Sequence, residues 1–276
     1  KSKVIPFAEI QEGQVAAEDI LQSINTPEKL KDHDPLHSAH IMMQNIVSVF
    51  AEQVSTYSEL DEYCKKIKKL QDVLLPGYPP LSPITNSYFT MWTFYDFGFG
   101  KPKETVGEVL LQVADSIGFP NDWIQILQVQ MNSHMGIYEH CGFEDVKILL
   151  QDIITGNQFK CICPSGYSGK QGELWFIRLL SSPNSILDYE VVFTTPYVLQ
   201  NHGKDEWLEF FARNRIAANV ANLDRKYKAL MKKGNSVRYW HNYILDAYNG
   251  YKQDVIFLSG IPDRKETLPH GGFDEN

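Results

Sequence analysis

Histidines and their neighbours are the first residues in this sequence that could do chemistry. The densest run is His33-Asp34-Pro35-Leu36-His37-Ser38-Ala39-His40. His37 and His40 stand three apart at a predicted helix start, so they share a face and could hold a divalent metal. A third ligand could come from His33 or Asp34, or from the second grouping, His134, Glu139, His140 and Cys141. With His37, His40, His134 and His140 as ligands, the metal would acidify a bound water, giving a metal-dependent hydrolase. The ordinary alternative is a solvated pair, His33 and His37, at a helix N-terminus and a hydrogen-bonded His40 in the core. HExxH and paired CxxC signatures are both absent, so the expectation is no cofactor, with a divalent metal as the alternative. Cys161 and Cys163 alternate with Ile162, so they face the same side of a predicted strand and read as core thiols.

Pro164 to Gly172 is a Gly-rich loop between two predicted strands. Gly166, Tyr167, Gly169, Lys170 and Glu173 form a candidate ligand-binding set, because such turns can aim backbone N–H groups at an anion. Glycine is equally demanded by any tight connection that needs positive φ. A nuclease-like Asp145-Val146-Lys147 pairing recurs as Asp224-Arg225-Lys226 and Asp263-Arg264-Lys265, in segments of different predicted structure, so it discriminates poorly. No G-x-S-x-G elbow marks a nucleophile, and no strand, Gly-rich turn and helix in succession marks a nucleotide fold.

Charge is more telling. Residues 1–203 carry 14 basic and 24 acidic side chains, whereas residues 204–265 carry 12 and 7. Arg225, Lys228 and Lys232 are spaced to share a helix face and form a candidate phosphate-binding stripe. The bland reading is a solvated helix face, or one docked on the acidic body of the same protein.

The elements that must position these residues follow from periodicity. Asp34-Pro35 opens a helix carrying Met42, Ile46, Val49, Phe50 and Val54. Thr56–Glu59 and Ser58–Asp61 are possible capping boxes. They precede the clearest amphipathic helix, Leu60 to Leu74, which stops at Pro76-Gly77. Seven aromatic residues lie between Tyr88 and Phe99, in a short helix capped by Asn86 or Ser87 or in a doubly buried strand. Thr105 and Glu108 make another capping box, for a helix that ends at Gly118, and an apolar segment from Trp123 to Met131 follows. Near residue 145 the period changes to 2. A hairpin turns at Thr155-Gly156-Asn157, and Glu173–Leu180 and Tyr189–Thr195 read as two more strands. Helical spacing returns from Trp207 to Leu230 and again from Val237 to Tyr248, and Val255–Leu258 is a possible last strand.

Helices, strands and helices in succession predict an α+β fold, with a small antiparallel sheet or partly open barrel in the middle. The regions are 1–135 mainly helical, 136–203 β-rich, and 204–261 a C-terminal helical region packing on the rest as one compact unit; 262–276 reads as a mobile tail. The chain has 276 residues, 43% hydrophobic, 12% aromatic, with net charge −8. That is enough to bury a core without staples, and it excludes a globally basic nucleic-acid coat protein. Four irregularly placed cysteines fit a reduced, cytoplasmic protein, and the absence of an 18-residue apolar window argues against a membrane partner. The chain opens on Lys1 rather than Met, as removal of a leader or tag would leave it; the opening segment has no signal-like apolar core.

The sequence thus points first to a non-catalytic binding or interaction protein with a protein or small-ligand partner. That site would use the Pro164–Gly172 loop and the aromatic segment 88–99. A deep pocket lined by convergent ionisable groups would defeat it. The histidine hydrolase is the second reading, and phosphate or nucleic-acid binding through the basic helix the third, with nucleic acid disfavoured by the net charge.

Overall fold

The computed structural model describes residues 33–56, 61–75, 81–217 and 222–269. They form an α+β fold in the expected order, with eight α-helices and eight strands among the described residues.

Helix α1 (Pro35–Ser55) starts where predicted: Asp34 Oδ1 accepts from the N–H groups of Leu36 (2.9 Å) and His37 (3.1 Å), with Pro35 in the first turn. Its buried side chains, Leu36, His40, Met43 and Val47, recur at helical spacing. Helix α2 spans Asp61–Leu74; the capping boxes expected around 56–61 and the stop at 76–77 fall on or next to residues outside those described. The aromatic segment is a helix, α3 (Asn86–Tyr95), not a strand, and its cap is Thr85, whose Oγ1 accepts from Tyr88 N. Helix α4 (Val106–Val113) has the Thr105–Glu108 capping box in both directions. The helix ends at Val113, and a 3₁₀ turn, Asp115–Ile117, carries the chain to Gly118 in the left-handed conformation. Helix α5 is Asn121–Asn132.

The strands are β1 (Met135–Glu144), β2 (Lys147–Asp152), β3 (Gln158–Ile162), β4 (Leu174–Leu180), β5 (Glu190–Val192) and β6 (Tyr197–Gln200). Five of them close a barrel in the order β1-β2-β3-β5-β4, with β4 returning to β1 through pairs from Met135↔Arg178 to Glu139↔Leu174. The predicted small antiparallel sheet is therefore mixed, because β3 runs parallel to β5. Strand β4 is the pivot. One edge pairs with β1; the other pairs with β6 at Leu174–Phe176 and with β5 at Leu179–Leu180. Beyond the barrel, β6 pairs in parallel with β8 (Val255–Ser259), and β7 (Tyr248–Lys252) closes the edge.

The single helix expected over 207–230 is two, α6 (Lys204–Arg213) and α7 (Leu223–Lys233), with Arg215 and Asn222 in left-handed conformations between them. Helix α8 is Tyr239–Ala247. Residues 262–269 are not a free tail: Asp263 takes a two-pronged ion pair from Arg213, and Leu268 is buried. Packing follows the pleat of β4. Trp175 and Ile177 join the cluster with Tyr138, Leu150 and Cys161, whereas Leu174 and Phe176 face the helices. Segment 88–99 is core: Tyr88, Phe89, Trp92, Tyr95 and Phe97 are all buried. Among the described residues, no helix is long and apolar enough to cross a membrane.

Candidate anion-binding cavity

The C-terminal ends of three helices, α3, α5 and α7, meet at one place. A helix end leaves carbonyls unsatisfied and carries the negative end of its dipole. Lys232, in the last turn of α7, answers both demands. Its Nζ donates to the carbonyls of Tyr95 (2.9 Å) and Met131 (2.7 Å) and lies 3.2 Å from Asp96 Oδ1. Asp96 is itself buried, and its other oxygen accepts from Arg178 on β4. Arg178 stands on the helix-facing side of β4, 1% exposed, and its Nε and Nη1 have no hydrogen-bond partner among the described residues. Asp96 thus ties the barrel to the helical layer. Burial pushes the Lys232 amine down to about 8, with Arg178 and Lys228 adding to the fall and Asp96 opposing it. Lys228, one turn earlier, is also lowered by burial and donates to Asn132 Oδ1 at 3.1 Å.

Above this buried cluster opens a cavity of about 550 Å³. Five lysines line it: Lys66, Lys103, Lys228, Lys232 and Lys233, against two carboxylates, Asp96 and Glu108. Lys66 reaches over from α2, its Nζ 5.1 Å from the Phe97 ring centroid. Lys103 sits in the loop after α3, which is pinched shut where Phe99 N donates to Glu104 O. Gly98 is required there, since a Cβ would lie 2.3 Å from Lys103 O. The side chains of Lys103 and Lys233 have no hydrogen bond or ion pair among the described residues and face solvent.

Two of the three residues in the predicted phosphate stripe, Lys228 and Lys232, are brought together here. Arg225, exposed farther back on α7, is outside the cavity. Lys233, next to the stripe in sequence, joins Lys228 and Lys232, whereas Lys66, Asp96, Lys103 and Arg178 were not singled out by the sequence. A signal for two of them was available, in a lone arginine within Leu174-Trp-Phe-Ile-Arg178-Leu-Leu180 and a lone aspartate amid aromatics at Asp96.

The loop set is divided. Tyr167 Oη donates to Glu173 (3.0 Å to Oε2), Trp175 Nε1 donates to the same oxygen (3.0 Å), and the Tyr167 and Trp175 rings pack together. Gly166 and Gly169 take positive φ, and a Cβ on Gly169 would lie 2.2 Å from Trp175. Gly166 and Tyr167 border one pocket, Lys170 and Glu173 a separate one of about 520 Å³. Much of the set is engaged in holding the loop, leaving the exposed Lys170.

The four candidate metal ligands each have local engagements. His37 packs its ring edge-on to Phe193; His40 Nε2 bonds Ser181 O (2.9 Å). His134 Nδ1 bonds Met135 O (2.6 Å), and His140 uses both nitrogens, on Ser168 O and Gly142 N. His134 and His140 lie six residues apart along extended chain, about 20 Å. Among the described residues, no group of three or more His, Cys, Asp or Glu is placed to hold a metal ion. All four cysteines are free, with Cys161 buried in the barrel cluster. A larger groove of about 810 Å³ between α1 and α2, walled by Phe50, Val54, Tyr63, Ile67, Phe94 and Phe99, is mainly apolar. No protein-family model, no curated protein and no solved structure matches the chain.

Proposed function

We propose that this chain is a non-catalytic binding protein, acting in the cytoplasm, whose ligand is a small anion held in the lysine-lined cavity. One observation carries the reading: five lysines from α2, the Gly98–Lys103 loop and α7 converge on a concave site in a protein of net charge −8. A site of that size lies within the range of small-molecule pockets, and local positive potential against a negative body draws anions to one place. The ionisable groups at its floor are already committed: Glu108 is held in the Thr105 capping box, and Lys232 donates to the carbonyls of Tyr95 and Met131 and pairs with Asp96. That is the arrangement of a structural cation, and it leaves Lys103, Lys233 and Lys66 to meet a ligand. The four free cysteines support the cytoplasmic placement.

Thermal unfolding of the purified chain in low salt tests the reading, with sodium sulfate added at constant ionic strength. Sulfate raises the melting temperature of the native protein. The raise is absent in the Lys103→Glu/Lys233→Glu protein, whose own stability without sulfate is unchanged because both side chains are exposed. Equal stabilisation of both proteins, or of neither, overturns the assignment.

A further inference from the structure

We infer that the cavity's ligand is a small organic molecule carrying at least two phosphate groups. The inference rests on the cavity being the ligand site and goes on to say what fills it. The first argument is charge. Against five lining lysines stand only Asp96 and Glu108, and Asp96 is already matched by Arg178 beneath it. Glu108 is engaged in the Thr105 capping box. A single monoanion leaves most of that surplus unmet, whereas two phosphates come close to balancing it.

The second argument is placement. Lys66, Lys103 and Lys233 arrive from three different elements, so their ammonium groups approach from separate walls. Spread round a cavity of about 550 Å³, they give a ligand with separated anionic groups a partner on each wall. The third argument is donor type. Every cation on the wall is lysine, a compact point charge with three donors that meets phosphate oxygens without a fixed direction of approach. Size completes the case: about 550 Å³ exceeds what bare phosphate fills, and Met131 and the half-exposed Val237 give an organic portion an apolar contact.

The buried floor gives binding a proton signature. Lys232 faces Asp96 after α3, Arg178 on β4, His134 before β1 and Lys228 on its own helix. His134 is neutral above pH 7, since burial pushes it down to about 4. An anion above this group favours the charged amine, so binding draws a proton onto Lys232 and weakens as pH passes about 8.

Isothermal titration at constant ionic strength tests the inference with four probes: pyrophosphate, orthophosphate, citrate and a ten-nucleotide single-stranded DNA. At pH 7.5 pyrophosphate binds at least tenfold more tightly than orthophosphate or citrate, and Lys103→Glu/Lys233→Glu removes the difference. Sulfate, which does not titrate between pH 7.5 and 9, reports the proton: its affinity falls roughly eightfold over that range. If sulfate binds through Lys103 and Lys233 but pyrophosphate is no better than citrate, the ligand class is wrong while the site stands. If no anion binds, the site itself is wrong. DNA binding tighter than pyrophosphate and sensitive to the same double variant overturns the small-molecule assignment.

Discussion

Histidines whose protonation burial disfavours set the acid limit of this fold. Burial pushes His40 and His134 down to about 4 and His241 to about 3. In the unfolded chain each takes its proton near 6.5. As pH falls from 6.5 towards 4, the unfolded state therefore binds more protons than the native one, and stability drops. Each histidine contributes a slope of up to about 1.4 kcal/mol per pH unit. Asp152 and Glu190, whose carboxyls burial pushes up, act in the opposite sense at the acid end of that window. His241 separates packing from protonation. Its ring sits 4.3 Å from Trp92 and close to Tyr88 and Phe89, while neither ring nitrogen has a hydrogen-bond partner among the described residues. His241→Phe keeps the ring contacts and removes two unpaired polar atoms, so at pH 7 it leaves stability equal or raised. Urea midpoints at pH 7, 6, 5 and 4.5 then fall less steeply than in the native protein. A large loss at pH 7, with the slope unchanged, would mean that the imidazole has a polar duty in the core.

Between elements, the decisive joint is Arg178–Asp96–Lys232, which links β4 to the ends of α3, α5 and α7. Removing one partner of a buried pair leaves an uncompensated charge, so Arg178→Met costs about 3 kcal/mol, and adding Asp96→Asn recovers part of it. Guanidinium denaturation of the two single variants and the double gives the coupling; simple additivity would show that the pair does not hold the layers together. This joint also explains what was legible in the sequence. Capping chemistry is local, so Asp34-Pro35 and Thr105–Glu108 marked two helix starts correctly. Strand β1 was missed because its first four residues, Met135–Tyr138, are all buried and show no alternation. The break between α6 and α7 was missed because apolar spacing continues across it while Arg215 and Asn222 turn the backbone left-handed. Half the cavity was visible because Lys228 and Lys232 share one helix. Lys66, Lys103, Asp96 and Arg178 join them only through tertiary contact, which no spacing along the chain encodes.

At the scale of the whole molecule, the three regions read along the chain share a core. One cluster runs from Leu74 and Phe89 through Ile137 and Phe176 to Trp207, Trp240, Leu258 and Leu268. Twelve of the 34 aromatic residues are buried in it: Phe176 packs on Trp240 at 5.1 Å and Trp207 on Phe210 at 5.5 Å. The sheet crosses the same boundary, since β8 pairs with β6 from Tyr197↔Ile256 to Gln200↔Ser259. A chain ending at residue 203 would leave β6 without that neighbour and uncover Phe176 and Tyr197. The full chain is therefore expected to unfold in one step, with far-UV dichroism and tryptophan fluorescence following the same urea curve. The fluorescence test is a fair one, because Trp92 and Trp123 report the early helices, Trp175 the barrel, and Trp207 and Trp240 the late helices. The fragment 1–203 should show no cooperative transition. A sharp transition in that fragment, or two separated curves in the full chain, would make the late helices a domain of their own. The cavity, which needs Lys66 from before the barrel and Lys233 from after it, would then form between domains rather than within one.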